Sequence, residues 1–186
     1  MVRSLRVKSQ AHGFTLVELM IVVAIVGVLS TSAVVSYQTI IRRSHTAEAT
    51  QMINAIKVAQ EAYHAEVGTY VSISSDLDTD FCPPHAAGPP TMVPWSPTCG
   101  NGANRPWSTL PVNSNGPVFF GYATMAGLAG AAMPMPTGML STPVPPATTG
   151  DWYVVAAKAD MDNNGISCIA VSSSLARDVY VDRDGE

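Results

Sequence analysis

Proline is missing from the first 82 residues, because all 14 prolines of this 186-residue chain lie between Pro83 and Pro146. A stretch without proline keeps every backbone donor, so nothing there forces a helix to kink or break. Charge is missing from Leu19 to Ile41, a run of 23 residues. As a helix rising roughly 1.5 Å per residue it is about 35 Å long, enough to cross the hydrocarbon core of a bilayer. Basic residues are few: beyond Gly13 there are seven Lys/Arg against 14 Asp/Glu, a balance near −7. That argues against nonspecific grip on nucleic acid, which rests on excess Lys and Arg facing phosphates. A catalytic grouping is missing as well. None of His12, His45, His64 and His85 has a nucleophile or metal partner beside it in sequence, so the chain reads as a non-enzyme.

What is present begins with a short basic leader carrying Arg3, Arg6 and Lys8, followed by Gly13, Phe14 and the apolar run. Lys and Arg flanking a span are retained on the cytoplasmic side, so the bulk of the chain is expected to face outward. Glu18 is the one acid at the start of the run. A carboxylate at the membrane end of a helix is costly unless it reaches the interface or a partner, and it reads as functional. An ordinary secretory signal cut near Leu29-Ser30-Thr31-Ser32-Ala33 is the competing reading. The run is long for a removable signal and continues into more helix without turn residues. The length suits an anchor plus one modest domain.

The segment Gly13-Phe14-Thr15-Leu16-Val17-Glu18-Leu19 with its apolar continuation to Gly27 resembles the type III signal of type IV prepilins and the related pseudopilins. The resemblance implies leader cleavage after Gly13 by a prepilin peptidase and N-methylation of Phe14. It also implies an assembly role for Glu18, which would neutralise the amino terminus of a neighbouring subunit. The implied fold is α+β, a long N-terminal helix packed on a C-terminal antiparallel sheet head. The implied partners are other pilin subunits, the prepilin peptidase and the pilus or secretion assembly machinery. The implied location is the inner membrane as a single-pass protein with its head outside the cytoplasm, then a surface pilus or periplasmic filament. One departure stands out: the family usually places a proline just before the tyrosine matching Tyr37, and this chain has Val35-Ser36-Tyr37. Its absence predicts a more continuous helix.

The division expected along the chain is a cleaved leader at 1–13, a helix over 14–67 with its anchor at about 14–41, and a head over 68–186. The continuous helix would be on the order of 80 Å long. From Arg42 onward the pattern turns amphipathic, with Ala49, Ile53, Ile56, Ala59, Tyr63 and Val67 at helical three- and four-residue steps. That stripe is the expected seat of the head. The opposite face carries Arg42, Arg43, Glu48, Lys57, Glu61 and His64, and Gly68 supplies a stop. Gly27 reads either as a tolerated small residue or as a point of close helix approach.

Residues 71–150 are rich in proline, glycine, serine and threonine and read as loop wrapped over the head, apart from a first strand at 116–123. Met133, Met135 and Met139 read as gap-fillers in preference to a binding surface. Further strands are expected at 152–157, 166–172 and 179–181, joined by tight turns.

Asp160-Met161-Asp162-Asn163-Asn164-Gly165 has oxygen ligands at alternate positions before a glycine. It reads either as a calcium site on Asp160, Asp162 and Asn164 or as a hairpin turn held by Asn-Gly. It is not an EF-hand, which needs a glutamate where Val171 stands. No other cofactor is suggested. Three cysteines on the oxidising side give one pair and one remainder. Cys82 with Cys99 is the economical pairing, since it tethers a proline-rich loop. A link from Cys168 to either of them stays open.

Function therefore reads as a structural subunit of a type IV pilus-like filament, minor or specialised given its proline-rich head. The alternatives are a type II secretion pseudopilin and, from another class, a membrane-anchored protein for adhesion or DNA capture.

Overall fold

The computed structural model describes residues 13–84, 91–99, 105–140 and 149–184. Its helix α1 runs from Leu16 to Val67 without interruption, 52 residues long, followed by strands β1 (Gly121–Gly127), β2 (Trp152–Ala159), β3 (Cys168–Ser173) and β4 (Tyr180–Asp182). The four strands form one antiparallel sheet in the order β1-β2-β3-β4. This is an α+β, pilin-like architecture, as the sequence implied.

The chain divides after Thr39 into two compact units. The first holds the apolar part of α1, whose side chains from Leu16 to Val34 are exposed throughout. Its hydroxyls are satisfied inside the helix: Ser30 Oγ donates to the Val26 carbonyl at 2.7 Å, Thr31 Oγ1 to Val28 at 2.8 Å and Ser36 Oγ to Ser32 at 3.1 Å. Such local bonds make hydroxyls compatible with an apolar surrounding.

The second unit, from Ile40 onward, is built on the amphipathic part of α1. Ala49, Met52, Ile53, Ile56 and Ala59 are buried with Tyr122, Tyr153, Val155, Ala157 and Ala170 in one core. In β2 the odd-numbered residues join the helix and the even-numbered ones, Trp152, Val154 and Ala156, join a second core on the other face of the sheet. Leu77, Phe81 and Met133 cover that second face, with Met125, Met135, Met139 and Tyr180 packed around them. The methionines are therefore packing residues on a strap across the sheet. Gly127 is required there, because a Cβ at this position would overlap the buried Trp152 ring.

The strand placement departs from the expectation in one place. The first strand begins at Gly121, where pairing with Lys158 starts, and not at 116. Phe119 and Phe120 are buried ahead of it, and Val118 makes an isolated bridge to Val93. Val67, expected on the buried stripe, is 56% exposed because the last turn of α1 runs past the sheet. The helix then ends on Gly68, whose φ of +84° and N–H bond to the His64 carbonyl at 2.8 Å close the last turn.

The free edge of β1 is covered by the chain that leaves the helix. Ile73 and Ser74 donate to the Thr124 carbonyl at 3.1 and 3.0 Å, and Cys82 exchanges two 2.8 Å bonds with Tyr122. An edge covered in this way cannot recruit another strand.

Candidate functional site

Gly13, Phe14 and Glu18, the residues expected to serve processing and assembly, lie at the start of α1. Gly13 and the 82% exposed Phe14 precede the helix, outside regular structure, open to a peptidase or a methylating enzyme. Leader residues Arg3, Arg6, Lys8 and His12 lie outside the described residues, as does His85. Thr15 caps the helix. Its Oγ1 accepts the Glu18 N–H at 3.2 Å, while Glu18 Oε2 accepts the Thr15 N–H at 3.1 Å and its hydroxyl at 2.9 Å. This reciprocal pair is a capping box, and its spacing, Thr15-x-x-Glu18, was readable in the sequence. Within a single chain Glu18 thus binds its own helix start. From there the helix is apolar enough to cross a membrane, and none of its most apolar window is buried.

The charged face of the helix's second half is not simply solvated. Glu48 Oε1 accepts the Phe119 N–H at 2.8 Å and the Tyr122 hydroxyl at 3.4 Å. Burial, with Glu48 beside it, pushes the Tyr122 phenol well above its ordinary range. His45 stacks on Phe119 at 4.2 Å. Lys57 Nζ donates to Ser172 Oγ, the Ala176 carbonyl and the Arg177 carbonyl at 2.9, 2.6 and 3.2 Å, fixing the turn between β3 and β4. Burial lowers the Lys57 pKa, and Asp178 and Glu61 oppose that shift. Glu61 accepts the Tyr70 hydroxyl at 3.2 Å, and His64 stacks on the same ring at 4.4 Å. These contacts correct the reading of Glu48, Lys57, Glu61 and His64 as a plain polar face. Each spans dozens of residues in sequence or a loop closure that helical periodicity cannot reveal.

Gln60 was missed altogether. It is fully buried, with Nε2 donating to the Val71 carbonyl at 2.7 Å and to Thr124 Oγ1 at 3.1 Å, and Oε1 accepting the Val71 N–H at 3.1 Å.

The Asp160–Gly165 segment is a turn that satisfies itself. Asp160 accepts the Asn164 and Gly165 N–H groups at 3.2 and 2.8 Å, and Asn164 Oδ1 accepts the Ile166 N–H at 2.6 Å. Asp162 Oδ2 accepts Asn164 Nδ2 at 3.1 Å and lies 3.4 Å from Arg42 Nη1. Asn163 and Gly165 take positive φ, +59° and +84°. Among the described residues no group of three or more His, Cys, Asp or Glu is placed to hold a metal.

The structure joins Cys82 to Cys99, closing a loop with a Cα separation of 5.7 Å, while Cys168 is buried in β3 outside that bond.

A long apolar helix behind an exposed Gly13-Phe14 and a small antiparallel head together make a pilin-like arrangement. Comparison with known proteins agrees. Residues 8–34 match the model for the prokaryotic N-terminal methylation motif. A fimbrial protein of Pseudomonas aeruginosa is 41% identical over 69 residues, 37% of this chain and 45% of the relative. The type IV major fimbrial protein FimA of Dichelobacter nodosus is 49% identical over 51 residues, 27% of this chain and 32% of the relative. Fimbrial protein EcpC of Eikenella corrodens is 40% identical over 63 residues, 34% of this chain and 41% of the relative. The match thus spans less than half the length of these relatives. No solved structure matches the chain. The likeness to these fimbrial proteins, and the motif match, lie in a minor part of the chain.

Proposed function

We propose that this protein is a structural subunit of a type IV pilus-like filament, cut after Gly13, methylated on Phe14 and assembled by helix packing. The observation that carries the reading is the apolar part of α1, which is exposed along its length although the rest of the chain has a well-filled core. Apolar surface on that scale needs lipid or other helices around it. Before assembly the lipid is the inner membrane; afterwards neighbouring subunits replace it. Glu18 is the assembly residue in this reading, and it exchanges its bonds to Thr15 for the amino terminus of a neighbour. Exchange replaces a weak exposed cap by a charge-assisted bond where water is excluded. A minor or specialised role is supported by the irregular, proline-rich 71–150 region and the uninterrupted helix through Tyr37.

The test is co-expression with the cognate prepilin peptidase, with Gly13→Val and Glu18→Ala made separately. Gly13→Val is expected to keep its leader, and Glu18→Ala to be processed yet absent from filaments. Normal incorporation of both variants would sink the assembly model. Recovery of the wild-type chain from secretion-system filaments alone would replace pilin by pseudopilin.

A further inference from the structure

Two adjacent cations, Arg42 and Arg43, stand directly beyond the uncharged run that ends at Ile41. A carboxylate faces each of them. Arg42 Nη1 lies 3.4 Å from Asp162 Oδ2 in the turn between β2 and β3, and Arg43 Nε lies 3.9 Å from Asp184 Oδ2 just after β4. Thr46 Oγ1 donates to the other oxygen of Asp184 at 2.9 Å. Two segments distant in sequence are thereby fastened to one turn of α1. Both pairs are reached by solvent, the first half-buried with side chains 33% and 23% exposed and the second exposed at 67% and 48%. Ion pairs of that length and exposure are weak. A guanidinium binds a phosphate through two parallel N–H bonds, which is the stronger arrangement.

Where residues 19–41 lie in a bilayer, residues 42 and 43 fall at the depth of the lipid headgroups. Anionic lipids concentrate phosphate and negative potential at that depth. The remainder of the outward-facing chain is acid-rich and is repelled by the same surface.

We propose that Arg42 and Arg43 exchange partners. Anionic phospholipid headgroups hold them while the chain sits in the membrane, and Asp162 and Asp184 take them over when it leaves. This inference rests on the membrane-anchored reading above. Its consequence is a lipid-sensitive clamp, in which the β2–β3 turn and the Arg183–Asp184 segment are loose in an anionic membrane and fastened outside it.

The full chain would be placed in nanodiscs of phosphatidylcholine, in nanodiscs with about a third phosphatidylglycerol, and in phosphatidylcholine discs with inorganic phosphate in the buffer. Amide exchange would be followed in the Asp160–Ile166 turn and the Tyr180–Asp184 segment. Phosphatidylglycerol is expected to raise exchange in both segments by roughly fivefold, with the β2 amides unchanged and inorganic phosphate without effect. Asp162→Asn and the double variant R42Q/R43Q are expected to exchange fast in the turn whatever the lipid, with β2 protection reporting that each is folded. Equal exchange in all discs overturns the proposal alone. An equal rise with free phosphate overturns the lipid as the source. Failure of the chain to enter discs removes the membrane reading, and the proposal with it.

Discussion

Asp76 gathers donors of the loop after the helix: its Oδ1 accepts the Asp78 N–H at 2.7 Å and the Thr79 N–H, and its Oδ2 accepts the Thr79 hydroxyl at 2.6 Å. Those donors hold its pKa at about 2, below the usual 3.8. A carboxyl lowered on folding adds stability above its unfolded pKa, and this is lost as pH falls through the folded value. The window here is therefore pH 4 down to 2. Because the side chain is half-exposed, solvent screening keeps the contribution small. Asp76→Asn is expected to be less stable than the parent at pH 5, with the gap closing by pH 2 in urea melts at the two pH values. Gln60 is the larger effect at this scale. Gln60→Ala leaves the buried N–H and carbonyl of Val71 without partners and opens a cavity beside Thr124. The expected loss is about 2–4 kcal/mol in urea unfolding. A change below about 0.5 kcal/mol would mean that water replaces the amide. Neither residue announced its role in the sequence. Gln60 sits among helix-compatible polar residues, and its partners lie 11 and 64 positions away.

The elements divide by the range of the forces that place them. The helix was legible because a charge-free run, an amphipathic continuation and a terminal glycine are all local. The last three strands were legible within two residues, since each is a short apolar run between turn residues. The first was displaced because Pro117-Val118-Phe119-Phe120 has the composition of a strand but plugs the core ahead of the sheet. Composition there records burial, and pairing with β2 alone sets where β1 begins. The second core was illegible for a related reason: Leu77, Phe81 and Met133 come from segments whose loop composition gives no period to read. The Asp160–Gly165 turn tests how far local pattern carries. Its oxygens bind the turn's own N–H groups and Arg42, so millimolar calcium is expected to leave the melting temperature unchanged. A rise of about 3 °C or more, reversed by chelator, would establish the metal reading.

At the scale of the molecule, the division after Thr39 separates two kinds of stability. The apolar part of α1 has no buried residues in its most apolar window, while the second unit has its own core. The helix meets the head at Arg42, Arg43 and His45, against Asp162, Asp184 and Phe119, and its inward bonds and burial follow at Thr46, Glu48 and Ala49. A chain beginning at Ile40 holds the whole of the second unit and is expected to unfold cooperatively in water without detergent. One beginning at Gln51 loses the Asp184 and Phe119 bonds and the burial of Ala49. With about 2–3 kcal/mol removed, its melting temperature is expected to fall by roughly 5–10 °C. Equal melting of the two fragments would mean that the helix stabilises the head only from Met52 onward, and that Glu48 and Thr46 are rim contacts. Failure of the Ile40 fragment to fold would instead tie the head to its anchor, and would move the apolar helix from a means of assembly to a part of the fold.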